Sequence, residues 1–320
     1  QKAVNWMYIT EPSPDADNKP SYWPRGKVMG GSSSINAMVY VRGNSRDFDQ
    51  WSEAGNPGWS YSDVLPYFKK MESWQNGPDD YRGGDGPLNV SEVSRQLHPL
   101  CQNFLSAAQE IGIVLNKDMN GATQEGVGNY QITTHKGQRM SSSRAYLWPI
   151  KGRTNLTIIK NAQATKILTQ DKKAFGIEYK KSGKIHQAIA KCEVILSAGS
   201  INSPHLLQLS GIGPKAVLRK ASVPLVHDSP GVGENLQDHV GVSYFYKSKV
   251  RTLNDQLRPW WGKIWQGVRY VMTRTGPLSL SVNQSGGFVR TRDGLSRPNI
   301  QLYFSPVSYT LEPPGRRAML

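Results

Sequence analysis

Hydrophobic positions recur at helical spacing in three stretches of the chain. Val64, Leu65, Phe68 and Met71 share one face of a helix starting at Ser62 or Asp63, with Pro66 tolerated in its first turn. Leu100, Phe104, Leu105, Ala108 and Ile111 predict a second helix from about Pro99 to Ile111, with His98 at the surface ahead of it. WWGKIWQGVRYVM reads as an amphipathic third. From Asn155 the pattern shortens to four runs rich in β-branched residues, LTIIK, QATKILT, AFGIEYK and KIHQAIA. With turn residues at Asp171-Lys172-Lys173 and Lys181-Ser182-Gly183, they predict a small antiparallel sheet inserted in an α/β domain.

CEVILSA, beginning at Cys192, is nearly all apolar, the pattern of a strand buried on both faces of a parallel sheet. Gly199 ends it, and Ser203-Pro204 are placed as N-cap and first residue of a helix bearing Leu206, Leu207 and Leu209. KAVLRKA follows as a short helix, and GPLSLSVNQSGGFVR and PNIQLYFSPVS read as a loop and then strands. WMYIT fits a short strand and GNPGW a turn, while 11–20, 75–87 and 121–137 read as loops. Asn44 to Trp51 is polar and receives no element.

Composition narrows the class without naming a function. At 320 residues about two domains fit, and 31 glycines, 20 prolines and 38% hydrophobic residues describe a globular chain. No apolar run is long enough for a transmembrane helix. The first twenty or so residues lack the n- and h-regions of a signal peptide, and the chain, which does not begin with Met, reads as an internal fragment. The net charge of +15 invites a polyanion, but residues such as Lys166, Lys172, Lys180 and Lys184 are scattered around turns. No nucleic-acid-binding motif accompanies them, so no nucleic-acid partner is expected. Two cysteines, Cys101 and Cys192, make neither a disulfide framework nor a metal site, and no metal is expected.

Candidate chemistry concentrates in PRGKVMGGSSSINAMVYVRGNSRDFDQW, residues 24–51. Gly30 and Gly31 allow close approach and positive φ. Ser32, Ser33 and Ser34 add donors, and Ile35 to Val41 supplies one buried element. Such a segment can lie against a phosphate or an extended polar cofactor. A surface Gly/Ser loop ahead of a core element has the same composition. The strand–Gly199–helix unit offers a second place for a phosphate or ribose oxygen, at the carboxyl end of a strand, or is a plain turn. His135 has no carboxylate at motif spacing and reads as structural. Asp238 and His239 are adjacent, so in an extended chain they point to opposite faces and form no dyad. Arg139 and Arg144 face an anion or begin a solvated helix.

Gly26, the Gly30-Gly31-Ser32-Ser33 core, Ile35-Asn36, Tyr40, Gly43 and Asp49 resemble the first signature of the glucose–methanol–choline (GMC) family of flavin oxidoreductases. GSINSPHLLQLSGIG, Gly199 to Gly213, resembles the second, and GENLQDH and RMSSSRAYL also resemble family segments. The resemblance implies an α/β (α+β overall) fold: an incomplete, Rossmann-like FAD-binding domain and a substrate domain on an antiparallel sheet. It divides the chain into FAD-binding parts 1–50 and 153–240, a bridging region 51–152 and a substrate-domain start at 241–320. It implies oxidation of an alcohol or sugar CH–OH group by hydride transfer to FAD, with quinone or oxygen as acceptor.

Residue by residue, Ser32, Asn36, Ala37 and Val39 match positions along the flavin and pyrophosphate, Val28 lies beside the flavin, and the Ala164 backbone matches the adenine contact. Met29 departs slightly from the usual aliphatic residue, a volume-like change. Asn36 stands where some members carry a histidine bonded to FAD, which implies non-covalent flavin. No catalytic residue is assigned: the family's catalytic pair is expected beyond Leu320 and its dinucleotide fingerprint before residue 1. Gly211-Ile212-Gly213 and Gly231-Val232-Gly233 both lack the third glycine. Alone, such a fragment is expected neither to hold FAD tightly nor to turn over. The run PDADNKPSYWPRGKVMGGSSSINAMVYVRGNSRDFDQW resembles the arthropod glucose dehydrogenase (quinone acceptor) branch, with which secretion would be compatible. A lyase or silent relative keeping FAD as structure, and a basic non-enzymatic binding module, are the other readings.

Overall fold

The computed structural model describes residues 2–14 and 17–308. Asp15 and Ala16 of the expected 11–20 loop, and residues 309–320 of the 241–320 segment, lie outside the described residues. The chain divides into two compact units, one formed by Gln1–Arg153 with Phe245–Leu320 and one by Thr154–Tyr244.

In the first unit β1 (Tyr8–Ile9) and β2 (Tyr22–Trp23) pair antiparallel, so WMYIT contains the expected strand. The polar run after residue 44 is a helix, α1 (Ser45–Glu53). A capping box starts it: Asn44 Oδ1 accepts from Arg46 N at 3.0 Å and Asp47 Oδ2 from Asn44 N at 3.0 Å. Phe48 is its one buried side chain, too little to show in hydrophobic spacing. Helix α2 (Tyr61–Met71) begins earlier than expected, capped by Ser60, and Pro66 lies in its interior. The proline there removes one backbone bond.

Strands β3 (Glu72–Trp74) and β4 (Leu88–Val90) pair parallel around the 75–87 loop. Helix α3 (Leu100–Glu110) buries Cys101, Leu105 and Ala108. Ile111, just past its end, is 76% exposed, so the apolar face is shorter than the periodicity suggests. The stretch 121–137 is not simply a loop: it contains β5 (Gly126–Asn129) and β6 (Thr134–His135), the latter in a hairpin with β7 (Gln138–Arg139). Glycine serves in β5 because neighbouring backbone is close: a Cβ at Gly128 would stand 2.1 Å from Asn116 O.

The second unit is built on β8 (Ala162–Gln170), β9 (Lys173–Lys181) and β10 (Lys184–Ile189), an antiparallel meander. LTIIK forms no strand, so three of the four expected runs pair. Helix α4 (Gly199–Leu209) starts at Gly199 with Ala198 as N-cap, placing Ser203 and Pro204 inside it. Ser203 nevertheless serves the helix start, since its Oγ accepts from Ala198 N at 3.0 Å. Strand β11 (Ile212–Gly213), helix α5 (Lys215–Lys220) and strand β12 (His227–Asp228) follow, the two strands parallel. Ile167 N donates to Ser210 Oγ at 2.8 Å, tying β8 to the end of α4. CEVILSA pairs with none of the described strands, and Ile195 is 77% exposed. An apolar run becomes a buried strand only beside strands that accept its N–H and C=O groups, and none of the described strands does so.

The chain then returns to the first unit with α6 (Leu253–Leu257), α7 (Trp260–Thr273), β13 (Ser285–Val289) and β14 (Ile300–Phe304). The last two join β5 in an antiparallel sheet of order β14-β13-β5, as the loop-then-strands pattern predicts. The core of this unit includes a cluster of Met38, Val93, Ile132 and Leu280 and another of Tyr40, Trp74 and Val90. Both clusters therefore take a side chain from the glycine-rich stretch singled out by sequence.

Candidate functional site

Three glycines shape this stretch for different reasons. A Cβ on Gly26 would stand 2.2 Å from Gly31 O, so only glycine lets the loop close on itself. Gly30 has φ 88° and Gly31 φ 54°, the left-handed region that glycine enters without penalty. Around Gly31 a Cβ would meet nothing within 4 Å. The loop is crowded beneath and open above.

The serine hydroxyls are spent inside the loop. Gly31–Ser34 forms a 3₁₀ turn. Ser32 Oγ accepts from Gly26 N at 3.1 Å, and Ser34 Oγ donates to Met29 O at 2.8 Å. Ser33 Oγ donates to Gly30 O at 2.5 Å and accepts from Ser142 N at 2.9 Å. Beside the exposed Ser32 the loop presents apolar surface outward: Val28 is 40% and Met29 38% exposed. Among the described residues no group accepts from the N–H of either.

After the turn burial alternates along the chain: Met38, with φ 66°, Tyr40 and Arg42 are buried, while Ala37 and Val39 are half-buried. Hydrogen bonds from Thr133 N to Met38 O and from Tyr40 N to Gln131 O hold the segment against 131–133. Asn36 Oδ1 accepts from Arg139 Nη1 at 2.7 Å and from Met38 N at 3.1 Å. Arg139 Nη1 also reaches Ser33 O at 3.1 Å. Arg139 thus braces the signature loop; burial pushes its guanidinium pKa down.

Sequence patterns gave no warning of the network behind Tyr40. Arg42 Nη2 donates to Glu72 Oε2 at 2.6 Å and Nη1 to Tyr81 O at 2.5 Å. Arg82, wholly buried, donates to Glu72 Oε1 at 2.5 Å and to Asp118 at 2.8 Å. Burial alone would lower the Arg82 pKa, but hydrogen bonding and charge from Glu72, then Asp118, carry it above the usual value. Asn120 completes the clamp, accepting from Arg42 N at 2.8 Å and donating to Tyr40 O at 3.1 Å. Desolvation likewise raises the Tyr40 phenol. Charged residues separated by tens of positions carry no periodicity, so only the fold brings them together.

The first unit thus assembles Val28, Ser32, Asn36, Ala37 and Val39 on one continuous stretch, with Ser32 and Asn36 exposed. Ala164 lies exposed on β8 of the second unit, opposite Tyr179 and beside a register shift. His135 is exposed, and between Asp238 and His239 a local bond runs from His239 N to Asp238 Oδ1 at 2.8 Å. The open backbone at Gly31, the exposed Val28 and Met29 and their unaccepted N–H groups fit a flat, extended group laid along the loop. Among the described residues no His, Cys, Asp or Glu cluster is arranged to hold a metal ion.

Residues 4–241 match the GMC oxidoreductase family, and the chain belongs to it. It is 46% identical over 308 residues to an oxygen-dependent choline dehydrogenase of Photobacterium profundum, covering 95% of this chain and 54% of that protein. It is 45% identical over 304 residues to the mitochondrial choline dehydrogenase of Mus musculus, covering 94% of this chain and 50% of that protein. Among solved structures, an FAD-dependent oxidoreductase from Chaetomium thermophilum superposes with a TM-score of 0.82 at 29% identity, covering 89% of this chain and 52% of that one. The fold is the family's N-terminal FAD-binding α/β architecture with mixed sheets, and FAD is the cofactor it serves. The chain spans about half the length of the curated relatives it matches.

Proposed function

We propose that the whole protein is an FAD-dependent oxidoreductase that oxidises the CH–OH group of a choline-like alcohol, with oxygen as electron acceptor. The observation that carries this is the 45–46% identity, over nearly all of this chain, to proteins named choline dehydrogenases. The glucose dehydrogenase reading of residues 14–51, with a sugar substrate and a quinone, has no counterpart among the relatives just described and takes second place.

In this reading Val28, Ser32, Asn36, Ala37 and Val39 line the flavin and pyrophosphate without a covalent link, and the Ala164 main chain meets the adenine. When bound, FAD supplies hydride acceptance. The residues of this chain bind and orient. Gly26 and Gly30 fix the loop's curvature, Gly31 leaves its upper face open, and Arg139 holds Asn36 in place. The network of Arg42, Glu72, Arg82 and Asp118 anchors the end of the segment that carries Ala37 and Val39. No base is assigned within this chain. Segments 1–50 and 153–240 are taken as FAD-binding parts, 51–152 as the bridge and 241–320 as the start of the substrate domain.

The test is turnover by the full-length protein. Purified protein is assayed with choline and with glucose, following oxygen uptake and quinone-dye reduction separately. Choline-driven turnover supports the proposal; glucose-driven turnover with dye alone restores the second reading. Bound FAD with no turnover on any alcohol indicates a silent relative.

A further inference from the structure

The Asn36 amide is held one way round. Its Oδ1 accepts from Met38 N at 3.1 Å and from Arg139 Nη1 at 2.7 Å. A backbone N–H and a guanidinium donate and never accept, so the atom between them must be the carbonyl oxygen. Those two bonds use both lone pairs of Oδ1. The NH2 end is left over: Asn36 is exposed, and its Nδ2 donates to none of the described residues. An amide that could face either way is thereby made a fixed donor.

Both groups that hold the oxygen are themselves held. Met38 has φ 66°, a left-handed conformation that a methionine rarely takes. Thr133 N donates to Met38 O at 2.8 Å, and the buried Met38 side chain packs with Val93, Ile132 and Leu280. Backbone kept against its preference gathers where a function demands one geometry. Arg139 lies on β7, just after the hairpin turn at Gly137, where only a glycine clears the Arg274 carbonyl. No described carboxylate pairs with Arg139; its two bonds run to the neutral carbonyl oxygens of Ser33 and Asn36. Its charge therefore draws on the amide oxygen and makes the N–H groups at the other end stronger donors.

A fixed NH2 recognises an acceptor. The redox ring of FAD carries acceptor atoms, and two-electron reduction makes them richer in electrons. A donor already aimed at the place where charge develops binds the reduced form more tightly than the oxidised one, and so raises the reduction potential.

We propose that Arg139 is a positioning residue that fixes the Asn36 amide with its NH2 toward the redox ring of FAD, where it donates to the ring and favours the reduced form. This rests on the flavin-lining place given to Asn36 in the proposed function, and adds the sense of its amide and the residue that sets it.

The experiment measures FAD affinity and reduction potential in the full-length holoprotein and its variants. Asn36→Asp keeps an oxygen for Met38 N and Arg139 but puts a second, negative oxygen where the NH2 stood. It is expected to weaken FAD binding about tenfold, and to weaken the reduced form more than the oxidised one. A tenfold difference between the two forms lowers the potential by about 30 mV for a two-electron couple. Arg139→Met frees the amide to turn and is expected to shift the potential in the same direction by less. Arg139→Lys restores a donor to Oδ1 and is expected to recover most of that shift. Two outcomes overturn this inference alone. One is unchanged affinity and potential in Asn36→Asp, which leaves Asn36 as a brace of the loop. The other is equal weakening of both forms with the potential unchanged, which sets the amide against the pyrophosphate. If Asn36→Asp does not fold, the Arg139 pair decides, and an unshifted potential in Arg139→Met overturns the positioning role. A full-length protein that carries no flavin overturns the proposed function first and this inference with it.

Discussion

Arg139 and Asn36 stand 103 positions apart in the chain, yet Arg139 Nη1 donates to Asn36 Oδ1 at 2.7 Å. The same nitrogen reaches Ser33 O at 3.1 Å, so one guanidinium ties β7 to the last part of the turn and to Asn36 just beyond it. A charge-assisted bond of this type contributes about 1.5–3 kcal/mol in a buried site and less here, where Asn36 is exposed. Asn36→Leu in the full-length protein is therefore expected to weaken FAD binding roughly tenfold. Arg139→Leu, which breaks the same bond from the other side, is expected to act in the same direction. Flavin content after gel filtration measures both, and unchanged content in both variants removes Asn36 from the site.

Glu72 is the shared counter-ion of Arg42 and Arg82, all three effectively out of water. Glu72→Gln leaves two buried guanidinium groups facing a neutral amide. The expected cost is about 3–5 kcal/mol of unfolding free energy, measured by urea titration. Arg297→Ala breaks only the half-exposed bond to Asp47, and is expected to cost no more than about 1 kcal/mol. Equal effects of the two would contradict the account of the buried network.

Gly286 lies in the centre of the β14-β13-β5 sheet. A Cβ there would stand 2.0 Å from Leu302 O and 2.5 Å from the Tyr130 hydroxyl. Leu302 O is also the acceptor for that hydroxyl, at 2.7 Å. Gly286→Ala must move backbone rather than a flexible side-chain end, and a loss of about 2–4 kcal/mol is expected. Gly152→Ala, where a Cβ meets nothing within 4 Å, is the control and should be near neutral. Thermal melts of the two variants make the comparison.

The elements legible in the sequence were those whose signal is local. Helix α3 shows its 3.6-residue stripe, β8–β10 their β-branched runs, and the Gly26–Asn36 loop its glycines. Helix α1 was missed because it buries only Phe48; its signal was the Asn44–Asp47 capping box. Strand β5 was hidden by glycines that exist for close backbone approach. CEVILSA shows the converse, an apolar run with no strand beside it to pair with. In the site, the loop and its open face were legible, but Arg139 was read as facing an anion or solvent. The network of Arg42, Glu72 and Arg82 was not legible, because pairing across 30 and 10 positions leaves no trace in spacing.

His98 sits at the entry to α3, where its Nδ1 accepts from Leu100 N at 3.2 Å and burial pushes its pKa down. The folded state therefore favours the neutral ring. The stability it contributes is fully present above the unfolded histidine pKa, about 6.5. It is lost as pH falls through the lower folded value. Urea midpoints are expected to fall on acidification below about pH 6.5, and His98→Gln is expected to flatten that dependence. A midpoint that rises on acidification, or a slope identical in the variant, contradicts the assignment.

The most direct measurement is the anaerobic absorption spectrum of the purified full-length protein before and after choline is added. The account predicts oxidised flavin bands in the resting protein, bleached by choline, with the flavin released by denaturation because it is not covalently held. A protein without flavin bands, or with bands that no alcohol bleaches, would contradict an FAD-dependent alcohol oxidoreductase.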